Sequence, residues 1–173
     1  GKDYTDPSVL KMIHLNARKK YSVDNYLNKL NIIPVSISYE KDPNDLLKAR
    51  ELYLTDLNKN YIKHPKEDLI SIEEGIKGDK GNVNIAIGPL IKFENDSYEK
   101  CSEKISSLIK SSYMLHPTNY AAAILQGKTI LSNDYSEDIL KEAISFMKNK
   151  IKNIPEDMHP YLLNQYSNPV NLK

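Results

Sequence analysis

The chain has 173 residues, 40% hydrophobic and 27% charged, which is one domain's worth of sequence with enough apolar content for a single core. One cysteine excludes a disulfide-stapled scaffold, and Lys+Arg 24 against Asp+Glu 23, a net charge of +1, speaks against a nucleic-acid binder. No apolar run approaches the roughly 20 residues that cross a bilayer. Mean hydropathy is −0.55, and no charged-then-apolar leader opens the chain. With the lone Cys101, these features set the expected location as cytoplasmic, with any membrane contact peripheral and at the inner face. The first residues, Gly1 to Asp6, read as a polar loop already in progress, so the expectation is part of something longer.

In chain order, Pro7 to Met12 starts a helix and Asp24 to Leu30 continues with Tyr26, Leu27 and Leu30 at helical spacing. Asn31 to Glu40 is the clearest strand: Ile33, Val35, Ile37 and Tyr39 alternate with Pro34, Ser36 and Ser38. Pro34 belongs near its start or an edge, and the serines suit a tight site or close helix packing. Asp42-Pro43 reads as cap and first position of a helix striped by Leu46, Leu47, Tyr53, Leu54 and Leu57. His64-Pro65 opens another in the same way, with Leu69, Ile72 and Ile76 on one side, ended by Gly78 and Gly81. Asn82 to Ile87 is a second alternating strand stopped by Gly88-Pro89.

Beyond it the pattern is helical: a long helix through Tyr98, Cys101, Ile105 and Leu108, a short Ala-rich helix capped by Thr118, then Ser136 to Ile151, then Asp157 to Tyr166. Two strands joined by a long helical crossover predict an α/β fold, part of a helix-flanked, mostly parallel sheet with a predominantly helical C-terminal half. In this reading residues 1–92 hold the strands and 93–173 the helices. Two strands are too few for a self-sufficient sheet, so the sheet is expected to be incomplete.

Catalysis needs a nucleophile or base beside an orienting partner. His14, His64, His116 and His159 are dispersed, and the last three precede helix starts, where capping explains them. No His or Cys pair has metal-ligand spacing. Cys101 lies on an apolar stripe, as an inert buried thiol does. The glycines form no phosphate cradle, and Lys148, Lys150 and Lys152 read as an ordinary solvated helix end. From the residues, no catalytic constellation emerges.

Five segments carry a resemblance. They are Gly1 to Met12 (GKDYTDPSVLKM), Asn31 to Asp45 (NIIPVSISYEKDPND), Gly81 to Ile87 (GNVNIAI), His116 to Tyr120 (HPTNY) and Tyr166 to Val170 (YSNPV). In this order and at these separations, the chain resembles the C-terminal half of a bacterial glycerolipid acyltransferase of the glycerol-3-phosphate and 1-acylglycerol-3-phosphate branch. The resemblance implies transfer of a fatty acyl group from acyl-CoA or acyl carrier protein, as co-substrate rather than cofactor, to a glycerol hydroxyl in phospholipid synthesis. It implies a His-x-x-x-x-Asp block as oriented base and a Glu-Gly-x-Arg-like block for the acceptor phosphate. The residue five after each histidine is instead Lys19, Leu69, Ala121 or Asn164, and the arginine block should precede Gly1.

Both reacting blocks are therefore expected outside this chain. The implied partners are the missing N-terminal half of the same domain, a glycerolipid substrate and a peripheral membrane contact, with no nucleic acid. Catalytic and metal residues are none. The substrate-binding candidates are Lys2 and Asp3, beside the missing phosphate block, and Pro34, Tyr39 and Glu40 on the strand resembling the family's fourth block. In an open parallel sheet ligands gather at strand carboxyl ends. Pro34 also reads as packing, Glu40 as a solvated strand end and Lys2 as a chain terminus. Two other readings stand beside this one: a self-contained, non-catalytic helical module that binds a protein or lipid surface, and a small hydrolase, which needs a clustered His/Asp/Ser site.

Overall fold

A computed structural model describes residues 4–58, 61–130 and 134–172. Among the described residues the structure is mostly helical, 60%, with one small two-stranded antiparallel sheet. The expected helix-flanked, mostly parallel α/β sheet is thereby overturned. In chain order the elements are α1 (Pro7–His14), α2 (Val23–Leu30), β1 (Val35–Tyr39), α3 (Asp45–Leu57), α4 (Glu67–Lys77), β2 (Val83–Ile87), α5 (Tyr98–Ser111), α6 (Pro117–Leu125), α7 (Glu137–Lys152) and α8 (His159–Ser167).

The strand direction has a topological cause. A parallel pair needs a crossover that returns the chain to the start of the first strand. Here two successive helices separate the strands, and an out-and-back helical excursion delivers β2 at the end where β1 finished. The Glu40 amide bonds to the Asn82 carbonyl at 2.9 Å, and the Gly88 amide to the Pro34 carbonyl at 2.9 Å. That register faces Val35 with Ile87, Ile37 with Ile85 and Tyr39 with Val83 in non-hydrogen-bonded pairs. All six of these side chains are exposed, whereas Ser36 and Ser38 are buried at 3% and 1%. The serine face is the inner one.

The chain divides into two compact units, Gly1–Ser38 with Asn84–Met114, and Tyr39–Val83 with Leu115–Lys173. The first has a core of Leu10, Leu27, Ile91, Phe93, Cys101 and Ile105. Asp6 caps α1 by accepting from the Ser8 amide at 2.8 Å, with Pro7 just inside the helix. His14, buried, meets the Tyr21 carbonyl through Nε2 at 3.0 Å and the Tyr98 hydroxyl through Nδ1 at 2.8 Å. A carbonyl only accepts, so Nε2–H donates to Tyr21, while Nδ1 and the Tyr98 hydroxyl form the second hydrogen bond.

The second unit is built around α6, whose residues Pro117 to Ala123 are all buried. Its alanines let α7 and α8 pack closely, and Ala49, Ala121, Ala122, Ala143, Met147, Leu162 and Leu163 form the core. The helix at Asp42-Pro43 begins later than expected, at Asp45. The Asp45 amide closes a turn onto the Asp42 carbonyl at 3.2 Å, with Pro43 and Asn44 as its corner. The buried line of α3 is Asp45 and Ala49, while Leu46, Leu52 and Leu57 are exposed. The expected stripe of α4, Leu69, Ile72 and Ile76, is exposed throughout. Gly81 turns the chain into β2 at φ +60, a conformation that favours glycine.

Candidate functional site

The second unit holds a network of buried polar groups. It starts at Asp45, where a carboxylate in the first turn of α3 is favoured by the helix dipole. Asp45 is 1% exposed, and its Oδ2 accepts from the Tyr166 hydroxyl at 2.5 Å and from Lys150 Nζ at 2.6 Å. Burial and the Asp45 charge push the Tyr166 phenol well above its ordinary range. The Tyr166 oxygen also accepts from the Asp42 amide at 3.0 Å, and the Asp45 carbonyl accepts from Gln165 Nε2 at 3.0 Å. One buried charge thus ties α3 to α7 and α8.

The network continues through α6. Asn119 Nδ2 donates to the Tyr166 carbonyl at 2.8 Å, and Asn119 Oδ1 accepts from the His116 amide at 2.6 Å, closing the start of the helix. The Thr118 hydroxyl donates to the Glu40 carbonyl at 2.5 Å. Thr118 therefore braces Glu40 from within the helix, and His116 is the capping position. Lys41 and Lys150 lie over the Phe146 ring at 5.4 and 5.3 Å. Lys41 also pairs with Asp79 at 2.7 Å, and Lys48 with Asp42 at 2.5 Å.

The Asp45 carboxylate is held by Tyr166 and Lys150, so Asp45 is placed to hold structure, while Gln165 Oε1 beside it is buried without a hydrogen-bond partner among the described residues. An open groove of about 620 Å³ lies elsewhere in the same unit, along Tyr53, Leu57, Pro160 and Tyr161. Its Tyr161 hydroxyl donates to Asp56 Oδ2 at 2.8 Å. Among the described residues no group of three His, Cys, Asp or Glu could hold a metal. None of the described helices is long and apolar enough to cross a membrane. Burial pushes the Cys101 thiol up to about 11, which leaves it protonated and unreactive near neutral pH.

Of the five substrate-binding candidates, the structure describes Pro34, Tyr39 and Glu40. Lys2 and Asp3 lie outside the described residues. Pro34 precedes β1, is buried, and packs so closely on Gly88 that a Cβ there would lie 2.7 Å from Pro34 Cγ. Tyr39 is exposed on the apolar ribbon face. Glu40 Oε2 accepts from both the backbone amide and the side-chain amide of Asn82, at 2.9 and 2.8 Å. Its carboxylate closes the end of the ribbon. Ligands gather at strand carboxyl ends in open parallel sheets; this sheet is antiparallel, so strand direction does not single out Tyr39 and Glu40.

Sequence reasoning missed Asp45, Lys150 and Tyr166 as a group. Lys150 is 22% exposed and paired inward, which corrects its reading as part of a solvated helix end. A signal was available: Lys150 and Phe146 lie four apart on α7, on the turn that also carries the buried Met147. No family model, curated protein or solved structure matches this chain.

Proposed function

We propose that this chain is the C-terminal portion of an acyltransferase that moves a fatty acyl group from acyl-CoA or acyl carrier protein to a glycerol or glycerol-phosphate hydroxyl. In that reaction a histidine supplied by the preceding part of the polypeptide takes the hydroxyl proton. The oxygen attacks the thioester carbonyl, and the thiol leaves with the proton returned to it. The chain described here contributes packing and positioning, not the base.

The observation that supports this reading is that three of the five segments on which the resemblance rests meet in the second unit. Glu40 and Asp45 come from the second segment, Thr118 and Asn119 from the fourth, and Tyr166 from the fifth. They are far apart in sequence, yet they share one hydrogen-bonded network in the second unit. The exposed Val and Ile pairs of the ribbon are a second support, because a two-stranded ribbon with an open apolar face is not self-sufficient.

The test is acyl transfer by the translation product of the whole gene, with acyl-CoA and 1-acylglycerol 3-phosphate or glycerol 3-phosphate. Transfer that is lost when the histidine of a preceding His-x-x-x-x-Asp block becomes alanine supports the reading. Turnover by the 173-residue chain alone overturns it. The competing reading, a non-catalytic helical module that binds a surface, draws on the exposed Leu69, Ile72 and Ile76 stripe of α4. It is favoured if no such block precedes the chain.

A further inference from the structure

We propose that the segment from α1 to the start of α2, in the first unit, is a docking surface for an anionic lipid bilayer. Leu10 and His14 take the buried face of α1. Val9, Met12 and Ile13, spaced i, i+3 and i+4, share another face and are exposed, Met12 at 67%, and Leu15 beyond them is exposed too. Immediately after this apolar patch come Arg18, Lys19 and Lys20, all exposed. Lys29 from α2 joins them, its ammonium 3.7 Å from the centre of the Tyr21 ring, with Lys20 at 5.6 Å.

Charge decides the occupant. Pro7 to Leu30 carries five cations and one carboxylate in a chain whose net charge is only +1. Lys11 is engaged by Glu99 at 3.1 Å. Asp24, the lone acid of the stretch, accepts from the Ser22 hydroxyl at 2.5 Å and from the Asn95 amide at 3.1 Å. Among the described residues Arg18, Lys19, Lys20 and Lys29 form no ion pair with a carboxylate, and Arg18 reaches only the Lys11 carbonyl at 3.0 Å. Exposed apolar side chains next to cations that have no carboxylate partner and a tyrosine pair, Tyr21 and Tyr26 at 6.3 Å, match the chemistry of a bilayer interface. The apolar groups enter the acyl boundary, the aromatic rings lie at headgroup level and the cations meet lipid phosphates.

The inference rests on the acyltransferase reading only for its setting, and vesicle binding can fail while acyl transfer succeeds, or the reverse. The experiment is co-sedimentation of the 173-residue chain with phosphatidylcholine vesicles, with and without about 30% phosphatidylglycerol. Binding is expected on the anionic vesicles only, falling as salt rises. The Arg18→Gln/Lys19→Gln/Lys20→Gln variant should bind about a hundredfold more weakly, at about fivefold per cation. The Lys148→Gln/Lys152→Gln variant on α7 should bind unchanged. The chain has no tryptophan, so Met12→Trp is a single reporter whose emission should shift to the blue on anionic vesicles. Absence of binding, equal binding to neutral vesicles, an equal loss from the α7 variant or an unshifted Met12→Trp spectrum each overturns the proposal.

Discussion

Asp45 carries a charge almost wholly removed from water, and two donors on one of its oxygens, Tyr166 and Lys150, offset the cost. Removing one member of such a pair leaves the other charge uncompensated, which costs about 3–5 kcal/mol. Lys150→Met should therefore destabilise the chain by an amount in that range by urea unfolding, and adding Asp45→Leu should restore much of it. A loss under about 0.5 kcal/mol for Lys150→Met would mark the pair as a surface contact. Cys101 makes a second prediction. Its thiol titrates ordinarily near 9.0 but is held up to about 11 by burial. Above pH 9 the unfolded chain loses this proton first, so stability present below pH 9 drains away as pH rises toward 11, by on the order of 2 kcal/mol. Tyr166, raised by burial and by Asp45, adds to the fall with the same sign. Cys101→Ala should flatten part of the decline in the urea midpoint between pH 9 and 11; an unchanged decline would mean that the thiol is accessible in the folded chain. Cys101 was legible in the sequence because one apolar stripe explains it. Asp45 was not, because a capping aspartate and a buried one look alike until the lysine and tyrosine that meet it are known.

At the scale of elements, alternation located both strands but not which face is covered. Period-two patterning reports that the faces differ, and the usual inference puts the aliphatic face inside. Here the small serines are inside, and Val35, Ile37, Ile85 and Ile87 are outside. Ile85→Thr should thus change stability by less than about 0.5 kcal/mol, whereas Ser38→Val, which forces volume into a filled face, should cost about 1–3 kcal/mol. Thermal unfolding of the two variants reads this directly, and the reverse order would show that the aliphatic face is the core. Two helix starts were legible, at Pro7, which Asp6 caps, and after Ser136. Asp42-Pro43 carries the same signal, yet a turn used it three residues ahead of α3.

For the whole molecule, the parallel sheet was inferred from two strands and a helical connection, and the number of helices in that connection reversed the direction. Composition excluded much, and the order of five segments pointed to acyl transfer, but spacing could not reveal that Glu40, Asn119 and Tyr166 share one network. Under the function proposed above, these groups position the chain and the base is supplied by another part of the polypeptide. The direct measurement is acyl transfer to 1-acylglycerol 3-phosphate by the whole gene product, set beside the 173-residue chain. Transfer by the former is expected, abolished by alanine at the histidine of a preceding His-x-x-x-x-Asp block, and none by the latter. Transfer by the isolated chain, or none by the whole product, would contradict the proposed function.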